Sequence, residues 1–363
     1  MKRLIPILAL LVLLPSSSPG FGYLSSGGAG TPLPGFTARS VASGGLRSIT
    51  LEDGSSILTN PAGMGRLTGP AVTLSIGPGI GREFVLDSLG EHESNWLRLS
   101  TLFAGVTVPL GRELSAGAAL AKVTDISYDF SHYQYDFQPG QTSYLSEIRE
   151  LSITGSMYEA VGGVSYSAAR WLDLGLSAGM RFGSASYDSN YVDVNDHDND
   201  TLVTWEREFS SFCWHAGMEM PLEFARIGLS WASEDEDYPA RAAIGGLLYT
   251  DETRQGAAGV EVELGDPGGR NSTDVKLFGY GFLSPSLRVM GALTFGTPNY
   301  ENVDTETRMG LSVGTSLRLG KVELDTGFAW SSMARDSYFL VPGETEELEE
   351  SVALISFGFT WRP

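Results

Sequence analysis

The feature of this sequence that most restricts its fold is a period-two alternation of apolar with small or polar residues, which begins near position 70. Between positions 172 and 183, every second residue is apolar, whereas the residues between them are aspartate, glycine, serine or arginine. Similar patterns run from 309 to 319 and from 321 to 332. Successive side chains of a β-strand point to opposite faces, so this pattern predicts strands with one apolar face. No stretch beyond the N-terminal region approaches the ~18 continuous apolar residues of a membrane-spanning helix.

Fourteen segments of the sequence are predicted to be strands. They are residues 70–77, 97–108, 114–124, 151–167, 171–187, 202–220, 222–232, 240–250, 256–264, 273–283, 286–296, 307–319, 321–332 and 351–361. Short turns alternate with longer polar connections such as 78–96 and 125–150, a pattern that is typical of outer-membrane barrels. We therefore predict an all-β fold, a transmembrane antiparallel up-and-down β-barrel of about 14 strands. A soluble β-sandwich is the alternative.

Hydropathy and aromatic placement also favour a membrane barrel. The mean hydropathy is near zero, as expected when only alternate strand residues meet lipid. Every tryptophan except Trp214 lies near a predicted strand end, where membrane interfaces place such residues. The final strand, Ile355 to Trp361, resembles the aromatic-ended terminal strand that the barrel-assembly machinery reads, although Arg362 and Pro363 follow it.

Residues 1–20 have the composition of a secretory signal peptide. Two basic residues precede an apolar run that ends near Leu14, and small or polar residues follow as far as Gly20. The apolar run is too short to cross a bilayer as a helix, and an uncleaved anchor is the alternative. No cysteine follows the run, which argues against a lipoprotein. We predict export to the outer membrane of a Gram-negative cell.

Charge and motif content disfavour several other functions. The net charge of −20 disfavours nucleic acid as a partner, because nucleic acid demands a basic face. Cys213, the one cysteine, is interpreted as a small apolar packing residue, and the four histidines show no metal-ligand spacing with it or with each other. No nucleophile elbow, phosphate loop or dinucleotide fingerprint is present. We expect no enzyme, no cofactor and no metal centre, and a barrel hydrolase is the alternative.

Two polar connections carry patterns that suggest a ligand. Asp196, Asp198 and Asp200 alternate in one of them, and oxygen ligands at this spacing are able to hold calcium. The glycine and distant glutamate of an EF-hand are missing, so an exposed acidic loop is the alternative. The aromatic-rich stretch from Tyr128 to Phe137 is interpreted as a collector of apolar ligands or as an extended hairpin that packs its own aromatics.

The stretch from Thr50 to Leu67 lies directly before the predicted strands and lacks their alternation. Asn60 is suited to cap a short helical turn whose first position is Pro61. The glycines at 63 and 65 allow backbone angles that other residues resist. Upstream, residues 36–44 are predicted to form another short helix that ends at a pair of glycines. This pattern suggests a plug inside a barrel, with a surface arm or linker as the alternative.

The run from Leu51 to Ile57, followed by Asn60 to Met64, resembles the N-terminal hatch of the long-chain fatty-acid outer-membrane transporter (FadL) superfamily. It is equally similar to the PorV-like barrels associated with protein secretion. The direct likeness covers roughly residues 36–68, and it implies fourteen strands. The implied division is a signal peptide at 1–20, a plug or hatch segment at 21–69 and a transmembrane barrel at 70–363. The implied ligand or gating residues are Asp53, Asn60, Pro61, Ala62 and Gly63.

Three functions are compatible with this resemblance. The first is FadL-like passive uptake of hydrophobic small molecules through a plugged barrel. The second is a PorV-like secretion-associated or scaffold barrel whose partners are proteins, and the third is a small general diffusion pore. Outer-membrane lipid and the barrel-assembly machinery are the other expected partners. An apolar lumen favours the first function, whereas the predicted inward faces carry mainly glycine, serine and charge.

The hatch residues have an expected place in the barrel. We expect Asn60, Pro61 and Ala62 to be buried inside it near the short-turn, periplasmic half. Asp53 is expected to accept hydrogen bonds from backbone or from arginines of the wall. The wall strands use their backbone groups on each other, so the segment is expected to satisfy its own backbone locally.

Overall fold

A computed structural model of the 363-residue chain describes ten stretches of it. They are residues 31–33, 35–67, 69–87, 90–136, 144–194, 200–234, 240–265, 272–297, 308–337 and 346–363. The predicted signal peptide lies outside these residues. Two members of the acidic triplet, Asp196 and Asp198, lie outside them as well.

Fourteen antiparallel strands, β2 to β15, close into a barrel. They are β2 Ala71–Asp87, β3 Gly90–Pro109, β4 Leu114–Asp136, β5 Tyr144–Ala169, β6 Leu172–Asp193, β7 Thr201–Pro221, β8 Ala225–Ala232, β9 Arg241–Tyr249, β10 Gly256–Gly265, β11 Ser272–Ser284, β12 Leu287–Thr297, β13 Arg308–Leu319, β14 Val322–Ser337 and β15 Glu346–Trp361. Each strand pairs with its successor, and β15 pairs with β2. The short strand β1, Thr31–Pro32, pairs with β4. The predicted fold class and strand number are confirmed.

Several strands are longer than the sequence predicts. The connections predicted at 78–96 and 125–150 are mostly strand, and Asp136 at the end of β4 still pairs with Tyr144 of β5. In a hairpin, each added residue satisfies its backbone on the facing strand, so polar side chains do not end the pairing. The backbone of residues 128–136 is therefore one arm of an extended hairpin, and the packing of its aromatic side chains stays a prediction.

The alternation separates an apolar outer face from a mixed inner face. On β6, the outward Leu176 is 53% exposed whereas the next residue, Ser177, is 2% exposed. Leu311 and Phe357 are exposed in the same way on β13 and β15. Five of the tryptophans that were predicted to lie at the membrane interface are exposed, at positions 171, 205, 231, 330 and 361. A continuous apolar outer face is unfavourable in water and suits a lipid environment.

No helix among the described residues has both the length and the apolar character needed to cross a membrane. The helices are short and occur before the barrel. They are α1 Ala38–Ala42, α2 Ser56–Thr59 and the 3₁₀ helix η1 Pro61–Arg66.

Residues 35–67, here called the luminal segment, lie within the closed sheet. The helix α1 contacts β12 to β15 and β2, whereas α2 and η1 contact β4 to β7. The segment is buried except at Glu52, Gly65 and Arg66. A short segment that touches strands around the whole circumference of a closed barrel, and is shielded from solvent, lies on its inner side.

Candidate functional site: the luminal segment and its seat

Local chemistry fixes where α1 begins and ends. The side chain of Thr37 accepts a hydrogen bond from the backbone N–H of Ser40 at 3.1 Å, which caps the first turn. The chain leaves the helix through Gly44 and Gly45, whose φ angles of 75° and 68° lie in the left-handed region. The predicted short helix that ends at a glycine pair is confirmed.

Asn60 connects two parts of the luminal segment, η1 and the loop at Ser48, to the barrel wall. Its Oδ1 accepts a hydrogen bond from the N–H of Ala62 at 3.2 Å, and Pro61 occupies the first position of η1, as the sequence predicts. Its Nδ2 lies 2.5 Å from the carbonyl oxygen of Ser48. The same nitrogen is 3.2 and 3.3 Å from carbonyl oxygens of paired residues on β7 and β8. Asn60 and Ala62 are fully buried, with Pro61 buried between them.

Inward-facing glycines of the wall provide the space in which the segment sits. A Cβ atom added at these positions would collide with atoms of the segment. The closest distances are 1.8 Å at Gly217, 2.0 Å at Gly228, 2.1 Å at Gly327 and 2.2 Å at Gly175. These four inward-facing glycines are therefore contact sites for the luminal segment, which the alternation pattern did not reveal.

Arg39 fastens α1 to β14. Its Nη2 lies 2.8 Å from Oδ1 of Asp325 and 3.1 Å from Oε2 of Glu323, and the side chain is 1% exposed. Its Nη1 donates to the carbonyls of Leu51 and Glu52. Burial by itself lowers the pKa of Arg39, but the two adjacent carboxylates raise it above its ordinary value. The guanidinium therefore stays charged, and a buried charge of this kind depends on its partners.

Carboxylates of the wall satisfy backbone donors of the luminal segment. Glu261 of β10 accepts hydrogen bonds from the N–H groups of Arg47 at 3.0 Å and Ser48 at 2.7 Å. Glu219 of β7 accepts from the N–H and hydroxyl of Thr50 at 3.0 and 2.9 Å. The expectation that the segment satisfies its backbone groups locally is therefore wrong for these residues, because inward-facing side chains supply the acceptors.

Two predicted hatch residues meet the expectation only in part. Asp53 accepts a hydrogen bond from a backbone N–H, as expected, but the donor is Ser55 of the segment itself, and the hydroxyls of Ser55 and Thr37 donate to it as well. Gly63 does not have a left-handed φ. A Cβ at Gly63 would lie 2.2 Å from Oγ1 of Thr50, so glycine is needed there for close packing and not for an unusual turn.

Apolar and charged residues both line the lumen, and the apolar residues form clusters. An apolar cluster joins inward residues of β3 to β7 to the luminal segment. It contains Phe36, Ile57, Leu58, Met64, Phe103, Ala119, Ala121, Val123, Ile126, Ile153, Met157, Val161, Ala185, Tyr187, Phe209 and Cys213. The expectation of inward faces made mainly of glycine, serine and charge came from residues 172–183, 309–319 and 321–332, none of which belongs to this cluster, so it missed the apolar inward residues of the neighbouring strands.

The wall between β3 and β4 lacks a continuous backbone ladder. The two strands pair only on the short-turn side of Phe103 and Ala121, although both continue well beyond this pair. Beyond it, β1 pairs with β4. The Nζ of Lys122 also donates to the carbonyl of Leu99 on β3 at 2.9 Å. This region, here called the β3–β4 gap, lies beside the apolar cluster.

A second opening of different character lies at the short-turn end. It is a cavity of about 640 Å³ with an arginine-rich wall. Its charged lining residues are Glu52, Arg66, Arg226, Arg254 and Arg288. An uncharged apolar molecule gains little free energy by entering such a cavity, because the charged lining does not offer it an apolar environment.

Of the acidic triplet, the structure describes only Asp200. Its carboxylate accepts a hydrogen bond from the backbone N–H of Asp193 at 2.9 Å. The calcium site therefore stays a prediction. The structure instead brings Glu159 of β5 next to Cys213 and His215 of β7. Sequence spacing did not reveal this group, because its members come from strands separated by β6.

No family model and no curated protein matches the sequence, but solved structures share its fold. A FadL homologue from Pseudomonas aeruginosa has a TM-score of 0.72 at 11% identity, over 92% of this chain and 99% of that one. The toluene transporter TodX of Pseudomonas putida has a TM-score of 0.65 at 11% identity, over 90% and 98%. The toluene transporter TbuX of Ralstonia pickettii has 0.62 at 12% identity, over 91% and 99%. The chain therefore has the fold of the FadL-like barrels.

Proposed function

We propose that this protein is an outer-membrane channel for passive uptake of hydrophobic small molecules, closed at rest by its luminal segment. The observation that carries the proposal is the apolar cluster in the lumen, which reaches from the luminal segment to the β3–β4 gap. Two further features support it: the tight seat of the segment, and the names of two solved structures that share the fold, both toluene transporters.

The outer membrane is the environment that suits this barrel. Its outer face presents exposed leucine, valine and phenylalanine side chains, such as Leu74, Val313 and Phe359. Burying apolar surface in lipid stabilises the protein by roughly 25 cal/mol per Å² removed from water. A signal peptide at 1–20 provides export, and the barrel-assembly machinery then inserts the strands.

The ligand route follows the apolar cluster. A hydrophobic molecule gains free energy by contact with Phe103, Ile126 and Met157 but gains little in the arginine-lined cavity. It therefore leaves through the β3–β4 gap, where side chains and β1, rather than a full backbone ladder, complete the wall. In this mechanism, Asp53, Asn60, Pro61, Ala62 and Gly63 hold the closed conformation.

The other two functions make different use of the luminal segment. A general diffusion pore is disfavoured, because residues 35–67 occupy the lumen and are tied to strands around the barrel. A PorV-like scaffold has protein partners and does not need an apolar path through the wall. The apolar cluster in the lumen is the observation that ranks the transporter above it.

Deletion of residues 36–66 tests the proposal. In planar bilayers, the deleted protein should conduct far more than the full chain, because no other described part of the chain crosses the lumen. Vesicles that contain the full-length protein should take up toluene faster than protein-free vesicles. Replacement of the connection 266–271 by a two-residue Asn-Gly turn, which leaves the luminal segment in place, is the control.

Far-UV circular dichroism must show that the deleted protein remains rich in β-structure. If it does, and its conductance equals that of the full chain, the segment does not close the channel. If the full-length protein also fails to accelerate toluene uptake, the scaffold function replaces the transporter.

A further inference from the structure

The inner wall carries a group of potential metal ligands that the transport proposal does not use. Glu159 on β5 and Cys213 and His215 on β7 each present a donor atom, and these atoms lie within 4.8 Å of one another. All three residues are at most 2% exposed. Cys213 and His215 are two positions apart on one strand, so they share its inward face.

The surroundings hold Glu159 in an orientation suited to a ligand. The Nε of Arg181 donates to Oε2 of Glu159 at 3.1 Å, and its Nη1 donates to the carbonyl of Ser233 at 3.2 Å. The other oxygen, Oε1, faces Nε2 of His215. One carboxylate oxygen is thus fixed by an outer partner while the other points at the imidazole, an arrangement that metal sites use to orient their ligands.

His215 supplies the second observation. Its Nδ1 is buried and has no hydrogen-bond partner among the described residues. A buried polar atom without a hydrogen bond costs free energy, and the described residues leave this ring nitrogen without one. A ring nitrogen of His215 is therefore available to an ion, and burial of all three residues keeps bulk water from competing for it.

We propose that Glu159, Cys213 and His215 form a binding site for a divalent transition metal ion of the zinc type. A thiolate, an imidazole nitrogen and a carboxylate oxygen are the donor set that zinc prefers, whereas calcium and magnesium select oxygen ligands. On binding, the thiol of Cys213 loses its proton to solvent as the metal–sulfur bond forms. Arg181 remains bound to Glu159 and is a positioning residue.

The ion would link β5 to β7 beside the luminal segment. Ser177 lies opposite His215 in the β6–β7 pairing, and its hydroxyl donates to the carbonyl of Ile57 in α2 at 2.7 Å. Cys213 packs in the same apolar cluster as Ile57 and Leu58. Metal binding therefore stiffens the part of the wall on which α2 rests, whether or not the protein is a transporter.

The test uses the full-length protein, refolded in detergent and titrated with Co²⁺ and then Zn²⁺. We expect a thiolate-to-cobalt charge-transfer absorption that Zn²⁺ abolishes. Because Cys213, the chain's single thiol, is buried, a maleimide alkylates it only when the protein opens locally, and Zn²⁺ should slow this alkylation further. The protection experiment needs no variant, so it stands even if a substitution prevents folding.

Variants locate the site. Cys213→Ser should abolish the charge-transfer absorption, and His215→Gln should weaken Co²⁺ binding strongly. Arg181→Lys should weaken binding by about 10–100-fold, as loss of an outer-shell partner does. His92→Gln, at a histidine on β3, is the matched control and should bind as the unmodified chain does. Absence of both the absorption and the thiol protection, or binding that Cys213→Ser and His215→Gln leave unchanged, overturns the proposal.

Discussion

Gly217→Ala is the substitution that most directly tests how the luminal segment is held. Gly217 faces inward on β7, and a Cβ built there lies 1.8 Å from Oδ1 and 2.8 Å from Cγ of Asn60. These distances are far below van der Waals contact, so Asn60 or the wall must move. Asn60 is not free to turn, because its amide donates to Ser48 and lies against two wall carbonyls.

The magnitude follows from the two ways of relieving this collision. If the Asn60 side chain rotates away, its two amide hydrogens lose their acceptors, which costs about 1 kcal/mol net for each hydrogen bond. If the wall or the segment shifts instead, overpacking of a well-packed site costs about 1–3 kcal/mol. Either route weakens docking of the segment by about 2 kcal/mol, which is roughly a thirtyfold change in the docking equilibrium.

The assay is single-channel recording in planar bilayers together with denaturant unfolding of the refolded protein. Gly217→Ala should increase the fraction of time in conducting states and lower the unfolding free energy by about 2 kcal/mol. Gly281→Ala is the matched control, because a Cβ at that strand glycine meets nothing within 4 Å. If the two alanine variants behave alike in both measurements, the glycine seat does not position the segment.

Two further substitutions test other parts of the structure. Arg39→Met leaves Asp325 buried without its arginine and Glu323 with Arg362 alone, so unfolding titrations should show a loss of about 3–5 kcal/mol, while Arg112→Met in an exposed turn should change little. An equal effect of both would contradict the role of Arg39 as an anchor. Leu176→Arg places a charge on the lipid face and should cost about 2–4 kcal/mol in refolding titrations into lipid, whereas Leu172→Arg near the turn should cost about 0–1 kcal/mol. No difference between the two would contradict a position of Leu176 closer to the bilayer midplane than that of Leu172.

Hydrophobic periodicity was sufficient to predict the barrel. The faces of β6, β13 and β14 were assigned correctly because a strand that meets lipid on one side must repeat every two residues, wherever its partners lie in the sequence. The cap at Asn60, the proline at the start of η1 and the glycine pair that ends α1 were also predicted, since each depends on neighbours within a few residues. Strand lengths were underestimated, because the polar ends of β4 and β5 are stabilised by pairing with each other rather than by their own composition.

Tertiary structure decided everything that depends on which inward residues face each other across the lumen. Nothing near Gly217 in the sequence indicates that Asn60 fills the space above it, and nothing near Arg39 indicates Asp325, 286 positions away. Glu159 meets Cys213 and His215 only because β5, β6 and β7 pair in one particular register. The sequence determines the two faces of each strand, since that requires only a local period. Closure of the barrel determines the contacts inside it, because shear and register set which inward side chains share a level.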